Sequence, residues 1–217
     1  MRASFGANNN DHFAIAFFMT KETFSSDSLK WSENVILVDA DYLDRVAFDL
    51  IVNFERMINR HIPKGNLCHW LNCIALDGGL RPGDNSIQAL FIHSNGKSSF
   101  DNLQPSSFEN ELDGKAFKDN LGEFTLHSFQ ADEGVPMEDL FDMAFAEISK
   151  SKEVKRVMVI GDTENYADHI KTIAAQSVVR DITLFSMSPL TGRGFYQEIL
   201  GYSLMSALGI RSEEIPS

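Results

Sequence analysis

Val35-Ile-Leu-Val-Asp39-Ala-Asp41-Tyr-Leu43 decides how the rest of the chain reads. Four aliphatic residues in a row stop abruptly at two carboxylates. A second stretch, Val157-Met-Val-Ile-Gly161-Asp162-Thr-Glu164-Asn165, repeats the arrangement. Short apolar runs of this kind read as strands buried on both faces of a parallel sheet. In open α/β sheets the functional crevice lies at the carboxyl ends of the strands. Two strand ends loaded with carboxylates therefore point to one acidic site. Crowded carboxylates repel one another unless a divalent metal or a shared proton joins them.

Working outward, residues 1–33 read as an irregular arm, with Asn8–Asn10 and Ser25–Ser26 as loop signals. Strand one covers Asn34–Val38, and apolar residues at helical spacing predict a helix over Asp44–Arg60. Strands are expected over Leu67–Leu76, Ile87–His93, Glu123–Gln130, Lys155–Ile160 and Asp181–Met187. Helices are expected over Met137–Ser149, Glu164–Gln176 and Phe195–Leu208. Residues 96–121 form a polar insertion whose Phe100, Phe108 and Phe117 imply that parts of it pack down. Strands alternating with helices in the second half imply right-handed crossovers. The expected architecture is one three-layer α/β/α domain over 34–210, with a mostly parallel central sheet and a frayed tail over 211–217.

The chain has 217 residues, enough for one substantial core. A formal charge of −12 works against loose binding to nucleic acid, and no Lys/Arg run offers a basic groove. Cys68 and Cys73 lie five apart on the expected strand, hence on opposite faces, so a mutual disulfide is not expected and a reducing cytoplasm is the simplest home. No CxxC or Cys/His zinc spacing is present. No apolar run is long enough for a transmembrane helix. The short run Phe13–Met19 reads as an extra strand, or as an arm that could pack on a neighbour and make a homodimer.

Each acidic candidate has a plain alternative. Asp41 and Asp39 could serve as first-turn and cap residues of the helix that follows. Asp162 and Glu164 could do the same for theirs, while Gly161 allows close backbone approach. Glu138 and Asp142 share a helix face that solvent alone would explain. Histidines 61, 69, 93, 127 and 169 show no metal spacing, and His93 lies near a strand end. Arg81 could meet a phosphate, and Thr191–Gly194 could form an anion-binding loop before a helix.

The layout over residues 34–187 resembles the PIN-like nucleases, and among them the NYN group. The resemblance rests on Val38-Asp39-Ala-Asp41-Tyr42, on Asp142 twenty residues before Asp162, and on Ile160-Gly-Asp162-Thr-Glu164-Asn165. The match is partial. Tyr42 stands where the family has Asn, Ile160 where it has Ser, Glu164 for the second Asp, Asn165 for Phe, and Pro136 for a helix carboxylate. The resemblance implies a PIN-like, Rossmann-like fold and metal-assisted hydrolysis of RNA. Asp39, Asp142 and Asp162 would bind Mg²⁺ or Mn²⁺, with Glu164 assisting. A haloacid-dehalogenase-like phosphatase is the alternative enzyme, with Asp39 as nucleophile and Asp41 as general acid/base, although Leu43 replaces the family's Thr. Tyr42–Leu50 and Ile74–Arg81 also resemble an uncharacterised family of Bacteroides-type bacteria. The third reading is an interaction module without catalysis.

Overall fold

The strand at the centre of the sheet, β1 (Asn34–Asp39), is buried along its whole length. A computed structural model describes residues 30–215. The expected arm falls largely on residues 1–29, outside the described residues, and with it the arm-mediated dimer. β1 runs directly into α1 (Ala40–Ile58), which starts four residues earlier than the apolar spacing implies. Asp39 is the reason. Its backbone is extended, and its Oδ1 accepts the Tyr42 N–H at 2.8 Å, so the strand's last residue is also the helix cap. Asn59, with φ +50°, closes the helix in a left-handed turn.

The expected strand over Leu67–Leu76 is a helix. A two-residue β2 (Gly65–Asn66) leads into α2 (Leu67–Asp77), and Asn66 caps it by accepting the His69 N–H at 3.0 Å. Leu67, Trp70, Leu71, Ile74 and Ala75 are buried, which is the 3.6-residue repeat. Cys68, Cys73 and Leu76 put apolar residues at intervening positions too, so periodicity alone does not separate helix from buried strand here. β3 (Asn85–His93) follows. The insertion then folds down as β4 (Leu103–Gln104), one π-helical turn (Phe108–Leu112) and β5 (Lys115–Lys118). Phe100 and Phe108 are buried and Phe117 packs against the core.

β6 (Gly122–Gln130), α3 (Met137–Lys150), β7 (Arg156–Ile160), α4 (Ala167–Gln176) and β8 (Asp181–Ser186) complete the alternation. The last expected helix is split. Tyr196–Ile199 form β9, parallel to β8, and only Leu200–Ala207 are helical, as α5. The tail carries a short 3₁₀ turn over Ser212–Glu214.

The seven-stranded sheet has the order β5-β6-β3-β1-β7-β8-β9, and only β5 is antiparallel. The succession of parallel strands reverses direction at β1, which has β3 on one side and β7 on the other. That reversal places a crevice beyond the carboxyl ends of β1 and β7. Alternate strand residues feed two hydrophobic clusters. Ile36, Val38 and Phe91 join Tyr42 and Trp70 in one, and Val35, Leu37 and Val157 join Phe141 and Phe145 in the other. No helix among the described residues is long and apolar enough to cross a membrane.

Candidate functional site

Asp39 ends β1, and Asp162 lies two residues past the end of its neighbour β7, near enough for Asp39 to sense its charge. Both are almost wholly buried. Asp39 uses both oxygens: Oδ1 takes the Tyr42 N–H, and Oδ2 takes the hydroxyl of Tyr166. Burial pushes its carboxyl up to about 6 against the opposing pull of these hydrogen bonds, and the charges of Asp41 and Asp162 push it the same way. The Tyr166 hydroxyl is held well above its ordinary range, by burial and by that carboxylate.

Asp162 is resolved differently. Its Oδ2 receives Arg45 Nη2 at 2.6 Å and Asn165 Nδ2 at 2.7 Å. Its Oδ1 accepts the N–H groups of Glu164 and Asn165 at 3.1 and 3.2 Å. Burial is the largest single influence and opposes ionisation, yet Arg45, Asn165 and the Glu164 N–H together hold the carboxyl below its usual value. Asp162 therefore caps a turn, and α4 begins only at Ala167 rather than at Glu164. Gly161 serves packing: a Cβ there would meet Ile170 Cδ1 at 2.7 Å and the Phe141 ring at 3.0 Å.

The other expected members do not join this pair. Glu164 contributes its backbone N–H to Asp162, while the residue itself is exposed. Asp142 pairs with His169, Oδ2 to Nδ1 at 2.9 Å, and its charged neighbours are His169, Asp139 and Glu138. Asp41 turns toward β3, accepting the Ser94 N–H at 3.1 Å with Lys97 Nζ at 3.7 Å. Thr191–Gly194 precedes a strand, so the anion-binding loop expected before a helix has no helix behind it. Arg81 Nη1 donates to the Leu80 carbonyl.

Three residues outside the expected set define the crevice. Arg45 reaches from α1, with its guanidinium also 5.3 Å from the Tyr42 ring centre. Tyr166 reaches from the turn before α4. Asp44 accepts from Lys97 Nζ (3.0 Å), the N–H groups of Asp101 (3.0 Å) and Asn102 (2.9 Å), and Asn102 Nδ2 (3.1 Å), pinning the insertion to α1. Arg45 had a readable signal, since it lies i+4 from Asp41 on the first turns of a helix that follows an acidic strand end.

The side chains do not fit a bound Mg²⁺ or Mn²⁺ as they stand. Such ions require free carboxylate oxygens, and those of Asp39 and Asp162 are engaged by protein donors. Among the described residues no group of three or more His, Cys, Asp or Glu side chains could hold a metal ion.

No curated protein and no solved structure matches the chain. One family model does, over residues 28–215, and on that match the chain belongs to a family of unknown function, DUF6621.

Proposed function

We propose that the chain is a non-catalytic interaction module on a three-layer α/β/α, PIN-like scaffold. The carrying observation is the 2.6 Å ion pair between Arg45 and Asp162, beside an Asp39 whose oxygens are both hydrogen-bonded. Two carboxylates at adjoining strand ends need something to relieve their repulsion. Here a guanidinium neutralises one, and hydrogen bonds from the Tyr42 N–H and the Tyr166 hydroxyl hold the other, without a metal. The surface left for a partner is the polar cavity of about 570 Å³ at the carboxyl ends of β3 and β6, lined by Ser98, Ser99, Ser107, Asn110 and Gln130. The free thiols of Cys68 and Cys73 suit a reducing, cytoplasmic setting.

The test is Mn²⁺ calorimetry on the wild type and on Asp162→Asn. No saturable uptake by either protein is the expected outcome. Saturable uptake that the substitution abolishes sinks the proposal.

A second reading, the metal-dependent ribonuclease of PIN/NYN type, draws support from one observation. The Arg45 side chain is 49% exposed and can swing away from Asp162. Mn²⁺-dependent cleavage of single-stranded RNA, lost in Asp162→Asn, would favour it. The phosphatase alternative draws no such support. α1 starts directly at Ala40, and Asp39 has no free oxygen to act as a nucleophile.

A further inference from the structure

Because residues 67–77 form a helix, His69 and Cys73 stand one turn apart on the same face of α2. The Cys73 Sγ lies 3.7 Å from His69 Nε2. Two donors on one tetrahedral zinc-like ion, with metal–sulfur and metal–nitrogen bonds of usual length, stand about 3.6 Å apart. The pair thus already has the separation of two ligands of a single ion. Ser206, on the neighbouring helix α5, borders the same spot, its Oγ 2.9 Å from His69 Nε2 and 3.8 Å from Cys73 Sγ. His69 and Ser206 are exposed and Cys73 is half-buried, so an ion in solution can reach all three. Burial, and to a lesser degree the charge of Asp77 one turn on, hold the Cys73 thiol above its ordinary range, so an incoming ion must displace its proton. No lysine or arginine is among the groups that influence Cys73.

We propose that His69 and Cys73 form a surface site for a soft or borderline d¹⁰ cation of the Zn²⁺, Cd²⁺ or Cu⁺ class. Imidazole and thiolate are the donors these ions select, and Mg²⁺ or Mn²⁺ would not be held there. On binding, the Cys73 S–H bond breaks, its proton leaves to solvent and the thiolate pair forms the sulfur–metal bond. His69 gives its Nε2 lone pair and keeps its proton on Nδ1, the Ser206 contact to Nε2 being released. Water fills the remaining positions. The site is independent of the Asp39–Asp162 crevice and of the function proposed for it.

Cys68 and Cys73 are the only cysteines in the chain, so a thiolate–metal absorption band can be assigned by substitution. Five residues along a helix separate them by about 140° around the axis, which puts Cys68 on a different face. The experiment is a Cd²⁺ titration of the untagged, reduced full chain, followed by the near-ultraviolet thiolate-to-cadmium band. The band should grow to one equivalent in the wild type and in Cys68→Ser. It should vanish in Cys73→Ser. In His69→Gln, an exposed position whose substitution leaves the core intact, affinity should fall at least by what loss of an outer-shell partner costs, roughly tenfold. No band in the wild type at large excess, a band that survives Cys73→Ser, a band lost in Cys68→Ser, or unchanged affinity in His69→Gln each overturns the proposal.

Discussion

Arg45 Nη2 meets Asp162 Oδ2 at 2.6 Å across 117 residues of chain, joining the first turns of α1 to the turn after β7. Arg45→Ala leaves a nearly buried carboxylate without its counter-charge. The arginine is half exposed, so water takes up part of its role, and the expected loss at neutral pH is about 1–2 kcal/mol. The pH dependence follows from the sign of the shift. Asp162 is held below its ordinary 3.8, so its contribution is present above that pH and fades as acid protonates the folded form. Urea midpoints of wild type and Arg45→Ala should differ more at pH 7 than at pH 3. An equal gap at both pH values would mean that the arginine acts through packing alone.

Asp39 shifts the opposite way. Its folded carboxyl is pushed up to about 6, above the ordinary 3.8, so the folded state binds its proton first as pH falls. The group therefore favours folding below pH 4 relative to neutral pH, and its charge costs stability above pH 6. Asn at this position keeps a good helix cap and a partner for the Tyr166 hydroxyl while removing the charge. Asp39→Asn should be more stable than wild type at pH 8 by on the order of 2–3 kcal/mol, with the difference disappearing near pH 4. A destabilised Asp39→Asn at pH 8 would show that the charged form is the one the fold prefers.

Asp44 should be the costliest of the acidic residues to remove. It is buried and accepts from Lys97, Asp101 and Asn102, so one side chain holds the start of the insertion on α1. Asp44→Ala strands two backbone N–H groups and takes from Lys97 the nearer of its two carboxylates, at a cost of about 2–4 kcal/mol. Amide exchange should accelerate at Asp101 and Asn102 ahead of global unfolding. Protection there equal to wild type would mean that the insertion is held by Phe100 and Phe108 instead.

The parts of the fold with contrast in the sequence were readable from it. Val35–Val38 and Val157–Ile160 are aliphatic runs bounded by charge, and the parallel sheet built on them follows from that contrast. Leu67–Leu76 has no contrast. Apolar residues occupy nearly every position, and only the cap at Asn66 and the placement of Trp70 on the core settle a helix. The same ambiguity concealed the His69–Cys73 pair, since residues four apart meet on a helix and lie far apart on a strand. At the crevice the strand-end positions of Asp39 and Asp162 were legible. Their partners were not, because Arg45 and Tyr166 come from separate elements and only the folded chain shows which carboxylate each one meets.

His93 offers a check on how the insertion covers the strand ends. Its ring stacks on Phe108, with centroids 4.1 Å apart and planes 8° from parallel. Burial is the main reason its imidazole is held below the ordinary 6.5; Lys97 pushes the same way, while the Ser94 carbonyl and Asp41 oppose. The unfolded chain therefore takes up the proton first, and His93 weakens the fold as pH drops below 6.5. Phe108→Ala lets water reach the ring at a stability cost of about 3 kcal/mol. In an NMR titration of the folded variant, the His93 midpoint should move up toward 6.5. His127, depressed by burial elsewhere on β6, should not move and serves as the internal reference. If His93 stays where it is in Phe108→Ala but rises in Lys97→Gln, the charge of Lys97 sets the imidazole rather than the aromatic cover.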